Sequence, residues 1–439
     1  MTRFGGIRSY FLTMDLKLAA IIAFGMLVRI VFAAVSWNPD WDTFVGMGHI
    51  AYDHSGFFGV YTAGAYLFAF FYALWLALPI SHSSYLLFMK LPSLIFDLLT
   101  ALLIYNVLSK LAVSKSRIYW ALGVWLLSPL SFIADGFNFF EVVPAFFLLL
   151  STILLAEKKR FLASTSLAIA GVMRFVPFIV LPFFLVSTIR GRDWKGAIAI
   201  LAPQAALVAV VLGWLAMNPG LFNVLSGDTG LGLLRPEVFD VLGVKLSSNV
   251  AIYPGSTIAM TAFAYLLLLG LVMFLARPSG SSHIATEVYL PIFAYVAFSF
   301  SAPTFLMYAL PFALITMATL RGYQVQMILL SVTGCLWSIV RSPLYLVEAN
   351  SSVFYIQVHS PFYPAGVLQD ASVSLQGPLL WIQSYLQAQI TAAFTAIIVF
   401  LIGMTILQSF RSPKRKDIRR RKFMIVDVWS RLLSDHESW

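Results

Sequence analysis

Residues 90–110 read KLPSLIFDLLTALLIYNVLSK, an apolar run held between two lysines and interrupted by one charge, Asp97. An α-helix needs about 20 predominantly apolar residues to cross roughly 30 Å of hydrocarbon. This run has that length. It reads as a membrane crossing that enters at Lys90 and leaves at Lys110, and the rest of the chain can be threaded outward from it.

The composition is that of a polytopic membrane protein. Of 439 residues, 60% are hydrophobic and 11% charged, more apolar surface than a soluble domain can hide. The formal net charge of +10 does not call for nucleic acid, because the basic residues cluster between apolar runs, as they do on the cytoplasmic side of membrane proteins. The clusters are Arg3, Arg8 and Lys17; Lys110, Lys115 and Arg117; Lys158, Lys159 and Arg160; Arg190, Arg192 and Lys195; then Arg277, Arg321 and the tail from Lys414 to Lys422. Placing every cluster on one face requires two crossings between neighbours. The crossings then fall near 18–36 and 88–108, as a pair within 118–156, as a short or broken pair within 162–188, and near 196–217, 257–276, 286–302, 304–320, 324–341 and 386–409. The expectation is an all-α integral membrane protein, a single domain over 1–439 with about 12 transmembrane helices and both termini cytoplasmic.

Residues 62–80 cannot be a simple span in this threading, and they are expected to lie in or dip into the outer leaflet. The first outer connection, 37–87, is aromatic-rich and weakly charged, and is expected to lie on the membrane surface as amphipathic helices. Connections at 219–256 and 342–385 share that character. The basic tail, 411–439, is expected to meet anionic cytoplasmic lipid. The first apolar run contains Arg29 and lacks a small-residue cleavage site, so it reads as a span and not a signal peptide. Cys335, the single cysteine, excludes an intrachain disulfide and a cysteine-based metal site. No repeat of the kind found in many secondary transporters stands out. Asn350-Ser351-Ser352 in an outer loop is a possible glycosylation sequon.

The chemistry is expected in the first outer loop, WNPDWDTFVGMGHIAYDHSGFF, residues 37–58. On a helix starting at Asp42, the residues Asp42, Gly46, His49 and Asp53 share one polar face, while Phe44, Met47 and Ala51 occupy another. The plainer alternative is a helix N-terminus capped by Asp40 or Asp42, with His49 and Asp53 merely solvated. Asp42, His49, Asp53 and His54 offer no recognisable zinc spacing. Ionisable residues within spans normally face a cavity or a partner, since charge in hydrocarbon costs a few kcal/mol. Arg29 and Asp97 read most simply as an ion pair. Arg174 lies in GVMRFVPFIVLPFF, a helix broken at Pro177, which suits an anionic lipid head group. Asp135 and Glu141 flank the outer turn ADGFNFFE, and Lys90 and Arg341 mark outer ends of spans.

These segments together resemble the GT-C glycosyltransferases, the multi-span family that uses polyprenyl-phosphate-linked sugars, and within it the mannosyltransferases related to the second GPI mannosyltransferase. The likeness rests on four places: Arg29 followed by Asp42, Gly56, Val60 and Tyr61; MKLPSLIFDLLTALLIYNVL with Lys90, Pro92 and Asp97; SPLSFIADGFNFFEVVPAFFLLLSTILLAEKKR leading into AGVMRFVPFIVLPFFLV, where Arg174 stands in the place usually taken by lysine; and SAPTFLMYALPFALI with Tyr308 and Pro311. It covers roughly 25–320. The chain departs from the family's Tyr-Pro-Pro after the first loop, reading TAGAY, and from its Gly-Gln-x-Asp, reading GFNFFE.

The resemblance implies a transferase that takes mannose, or another sugar, from a dolichyl- or polyprenyl-phosphate donor and passes it to a lipid-linked or glycan acceptor with inversion. It acts outside the cytoplasm, at a prokaryotic plasma membrane or in the endoplasmic reticulum. Asp42, with Asp40 as the second candidate, would be the base. By their own placement His49, Asp53, Lys90, Asp135, Glu141, Arg174 and Arg341 would contact substrate, His49 orienting the acceptor or the phosphate on helical spacing alone and Arg341 taken partly by analogy with an outer-end arginine in the family's late spans. The leaving phosphate is already a stable anion, so no metal or other cofactor is required. The rival class is a multi-span transporter or flippase, which would share the spans and buried charges but has little need of a carboxylate-bearing outer loop. A purely structural scaffold does not account for Arg174 and Asp97 in the membrane.

Overall fold

The computed structural model describes residues 15–35, 40–53, 63–78, 85–128, 141–174, 176–190, 193–217 and 306–319. Within these residues every regular element is helical and none is a strand. The elements are α1 Leu16–Val35, α2 Asp40–Tyr52, α3 Ala63–Ala77, α4 Tyr85–Met89, α5 Leu91–Lys110, α6 Lys115–Leu127, α7 Val142–Ala156, α8 Arg160–Met173, a 3-10 turn Val176–Val180, α9 Leu181–Arg190, α10 Trp194–Met217 and α11 Leu306–Thr319.

The expected crossing at 88–108 is α5. Among the described residues it is the helix long and apolar enough to cross a membrane by itself. α6, α7 and α8 have 13, 15 and 14 residues, each only about 20 Å long at 1.5 Å per residue. The turn expected between α6 and α7 lies outside the described residues, as do the spans expected near 257–276, 286–302, 324–341 and 386–409. α3 has 15 residues, the same length range as α6 to α8.

Why the chain turns where it does is clear at two places. After α5 and after α7 a residue adopts a left-handed backbone, Ala112 at φ 52° and Lys158 at φ 59°. In each turn the following amide reaches back over the helix end, Val113 to the Leu108 carbonyl at 3.1 Å and Lys159 to the Leu154 carbonyl at 2.9 Å. These bonds satisfy carbonyls that a helix terminus leaves orphaned. The reversals place the C-terminus of α5 beside the N-terminus of α6, and the C-terminus of α7 beside the N-terminus of α8. The bundle therefore alternates in direction.

Among the described residues, one end of the bundle collects the ion pairs that reach solvent: Lys110 with Glu157 at 3.9 Å, Lys159 with Glu157 at 2.9 Å, Lys115 with Asp15 at 3.4 Å, and Arg160 with Asp193. Asp193 also caps α10, its Oδ1 accepting from the Gly196 amide at 2.8 Å. We call this the basic end. Arg117 reaches the Ala318 carbonyl at 3.3 Å, which puts the C-terminus of α11 there too.

The core runs through α1, α5, α6, α7, α8 and α11, with Trp125, Leu148, Leu167, Tyr308 and Phe312 fully enclosed. Outward faces are apolar as well. Phe24, Leu27 and Val31 form an exposed stripe on α1, and Trp194, Ile198, Leu201 and Val208 another on α10. Apolar stripes of this kind fit contact with lipid and not water. Pro203 within α10 cannot donate to the helix ladder. A polar clasp sits beside it, with Ser164 Oγ donating to the Ile200 carbonyl and Gln204 Nε2 donating to Ser164 Oγ at 2.9 Å.

Candidate functional site

At the end opposite the basic one, a second, smaller core joins α2 and α3 to the bundle. Phe44 and Met47 of α2 bury against Phe68, Ala69 and Tyr72 of α3, and the cluster continues through Ala33 of α1, Met89 of α4, Leu94 of α5 and Val143 of α7. The expected two-faced helix is therefore present: Phe44 and Met47 are buried, while Gly46, His49 and Asp53 are exposed. Phe44 stacks on Phe68 with ring centroids 5.8 Å apart. The two helices cross closely at Gly48, where a β-carbon would stand 2.6 Å from Tyr72 Cδ1 and 2.8 Å from the Ala69 carbonyl oxygen. Only glycine fits such a crossing.

α2 and α3 thus form a roof over this end. Asp40 and Asp42 occupy the first turn of α2; their side chains lie outside the described part. His49 sits about two turns further along, with Nε2 3.1 Å from the Tyr72 hydroxyl and its ring meeting the Tyr72 ring edge-on at 5.2 Å. Asp53 follows α2, its amide bonded to the His49 carbonyl at 2.8 Å.

Beneath the roof lie the buried charges. Lys90, fully enclosed, donates from Nζ to the Ala33 carbonyl at 3.0 Å and so ties the start of α5 to the end of α1. Deeper in, Arg29 Nε stands 2.7 Å from Asp97 Oδ2. The same guanidinium donates from Nη2 to the Trp125 carbonyl at 2.7 Å. The ion pair expected between Arg29 and Asp97 is present, and it joins α1, α5 and α6.

The third group joins three further helix ends. Glu141, fully buried just before α7, accepts from Arg174 Nε through Oε1 at 3.0 Å. Its other oxygen, Oε2, accepts a short hydrogen bond from the Tyr308 hydroxyl on α11. Arg174 can reach it because α8 ends there: its backbone is extended, at φ −150° and ψ 138°, before the 3-10 turn carrying Pro177. The break expected in 162–188 is therefore present and presents the arginine to the roof end of the bundle. Val143 and Met173, next to Glu141 and Arg174 in sequence, pack in the roof cluster, so this triad and the roof are continuous.

The structure thus gathers Lys90, Glu141 and Arg174 at the end covered by the helix that bears Asp40, Asp42, His49 and Asp53. Asp135 and Arg341 lie outside the described residues. Sequence reasoning did not single out Tyr308 or Tyr72 as site residues. For Tyr308 the signals were its place in one of the segments that carry the resemblance and its being a lone phenol within an apolar span, LMYALPFALI, since a buried tyrosine hydroxyl usually finds a partner.

No protein-family model matches the chain, and no curated protein matches it. Among solved structures, the chain is similar to arabinosyltransferase EmbB from Mycobacterium smegmatis, with a TM-score of 0.39 and 16% identity. The similarity covers 91% of this chain and 41% of that one, so the chain spans well under half the length of that enzyme.

Proposed function

We propose that this chain is an integral membrane glycosyltransferase, and more narrowly a mannosyltransferase, that moves a sugar from a dolichyl- or polyprenyl-phosphate donor to an acceptor hydroxyl with inversion. The observation that carries this reading is the position of the buried charges. Exposed ion pairs occupy the basic end, whereas Lys90 and the Glu141–Arg174 pair lie under the helix whose first turn holds Asp40 and Asp42.

Such a site suits transfer from a lipid phosphate. The carboxylate of Asp42 takes the proton of the acceptor hydroxyl as that oxygen attacks the anomeric carbon from the face opposite the phosphate. The bond from the anomeric carbon to the phosphate oxygen breaks, and its electron pair leaves on the polyprenyl phosphate. Asp40 is the second candidate for the base. Developing charge on the phosphate would be met by Arg174, Lys90 and Arg341, since cationic donors act strongly where water is excluded. His49 would orient the acceptor or the phosphate, and Asp53 and Asp135 would contact substrate. With a leaving group that is stable as an anion, cationic side chains suffice and no metal ion is invoked.

The basic end faces the cytoplasm in this account, so the site opens to the other side and the donor must already have been flipped across the membrane. The test is transfer of radiolabelled mannose from dolichyl-phosphate mannose to a membrane lipid extract by the purified chain, with glucose- and arabinose-bearing polyprenyl phosphates run in parallel. Label in the acceptor fraction supports the reading. No transfer from any of the three donors, with substrate flux in reconstituted vesicles, would favour a transporter.

A further inference from the structure

The Glu141–Arg174–Tyr308 triad poses a question the proposed reaction does not answer. A carboxylate with no exposure to solvent stands on the cation best placed to take a lipid phosphate. Two anions competing for one guanidinium repel each other across a site with little water to screen them, so Glu141 is a poor ligand for the phosphate itself. Resting on the reading above, we infer that Glu141 is the counter-charge of Arg174, a positioning residue that holds the guanidinium by Nε and weakens its grip on the lipid phosphate so that the spent carrier can leave.

The geometry supports each part of this role. Arg174 lies on an extended segment between α8 and the 3-10 turn, where no helix fixes its direction. The contact from Nε to Glu141 Oε1 supplies that direction and commits one edge of the guanidinium. A phosphate would then be met by the two terminal nitrogens, which form the bidentate fork that phosphate oxygens match. Tyr308, by donating to Oε2, keeps the carboxylate from turning away. Glu141 also sits at the start of α7, where the helix dipole favours a negative charge.

The experiment measures binding of dolichyl phosphate to the full chain in nanodiscs, so it does not depend on transfer. The wild type is expected to bind, and Arg174→Ala to bind weakly. Glu141→Gln, which removes the charge but keeps the shape, is expected to bind about tenfold tighter, equivalent to 1.4 kcal/mol. In turnover it should show a lower KM together with a lower kcat, because release is slowed. Tyr308→Phe keeps both charges but lets the carboxylate turn, and is expected to tighten binding by a smaller factor than Glu141→Gln. Should Glu141→Gln not fold, Glu141→Asp draws the charge back by one methylene and is expected to tighten binding by a smaller factor. Weaker or unchanged binding in the folded Glu141 variants, beside Arg174-dependent binding in the wild type, overturns the counter-charge role and leaves the glycosyltransferase reading standing. Absence of Arg174-dependent binding in the wild type overturns both.

Discussion

Arg29 and Asp97 are each about 1% exposed and stand 2.7 Å apart, and neither charge is tolerable in that place without the other. Removing one member of a buried pair strands its partner and typically costs about 3–5 kcal/mol, whereas replacing both by apolar residues of similar volume is often neutral. Asp97→Ala should accordingly destabilise the protein by that amount in denaturant titrations in detergent, and the double change Arg29→Met with Asp97→Leu should recover most of it. Asp15, outside the apolar segments, behaves differently. The Tyr119 hydroxyl, 2.5 Å away, and then the Lys17 amide hold its carboxyl below the usual range, with Lys115 adding to the effect. A group bound more weakly by protons in the fold than in the unfolded chain adds stability above its unfolded pKa, and that stability is lost as pH falls through the folded value. Asp15→Asn should lower the melting temperature at pH 7, and the gap from wild type should close as pH drops below the carboxylate range. Pairing of Arg29 with Asp97 was legible in the sequence, because a charge in each of two apolar runs has few other solutions. That Glu141 takes both Arg174 and Tyr308 was not legible, since the three residues lie on separate helix ends and only packing brings them together.

Two kinds of element carry the architecture. The left-handed residues Ala112 and Lys158 let α5 and α7 reverse tightly at the basic end. Side-chain-bearing residues pay for that backbone conformation in steric strain, and glycine does not. Lys158→Gly should therefore stabilise the protein by about 0.5–1 kcal/mol, as should Ala112→Gly, measured as a rise in denaturation midpoint. The roof depends on the opposite property of glycine, its small size. Gly48→Val places methyl groups where Tyr72 and the Ala69 carbonyl already stand, so α2 should lift from α3. Tyr72 and Ala69 belong to the smaller roof core and not to the main core of the bundle, so thermal stability should change less than transfer activity. Period-based reading found the two faces of α2, because Phe44 and Met47 recur at helical spacing among polar residues. It could not find the close crossing at Gly48, which depends on a partner helix about twenty residues further on in the chain.

At the scale of the whole molecule, the distribution of charge organises the account. Basic clusters in the sequence foretold that Lys110, Lys115, Lys159 and Arg160 would share one end, and the ion pairs of α1, α5, α6, α7, α8 and α10 place them there. The alternation of direction follows from the same charges, because each cluster must be reached from the far side. Helix lengths were less legible. Hydropathy marks where apolar residues run, but α8 stops at the extended Arg174 and not at a change of polarity, so the sequence pattern alone overstates it as part of a span. In the proposed reaction the roof supplies the base, and the leaving group is held by the buried cations beneath it. The most direct test of this is transfer of radiolabelled mannose from dolichyl-phosphate mannose, comparing purified wild type with Asp42→Asn and Asp40→Asn at matched folding. Loss of transfer of at least about a hundredfold in Asp42→Asn, the lower bound for a positioned general base, with a smaller loss in Asp40→Asn, is the predicted result; wild-type transfer by the Asp42 variant would contradict it.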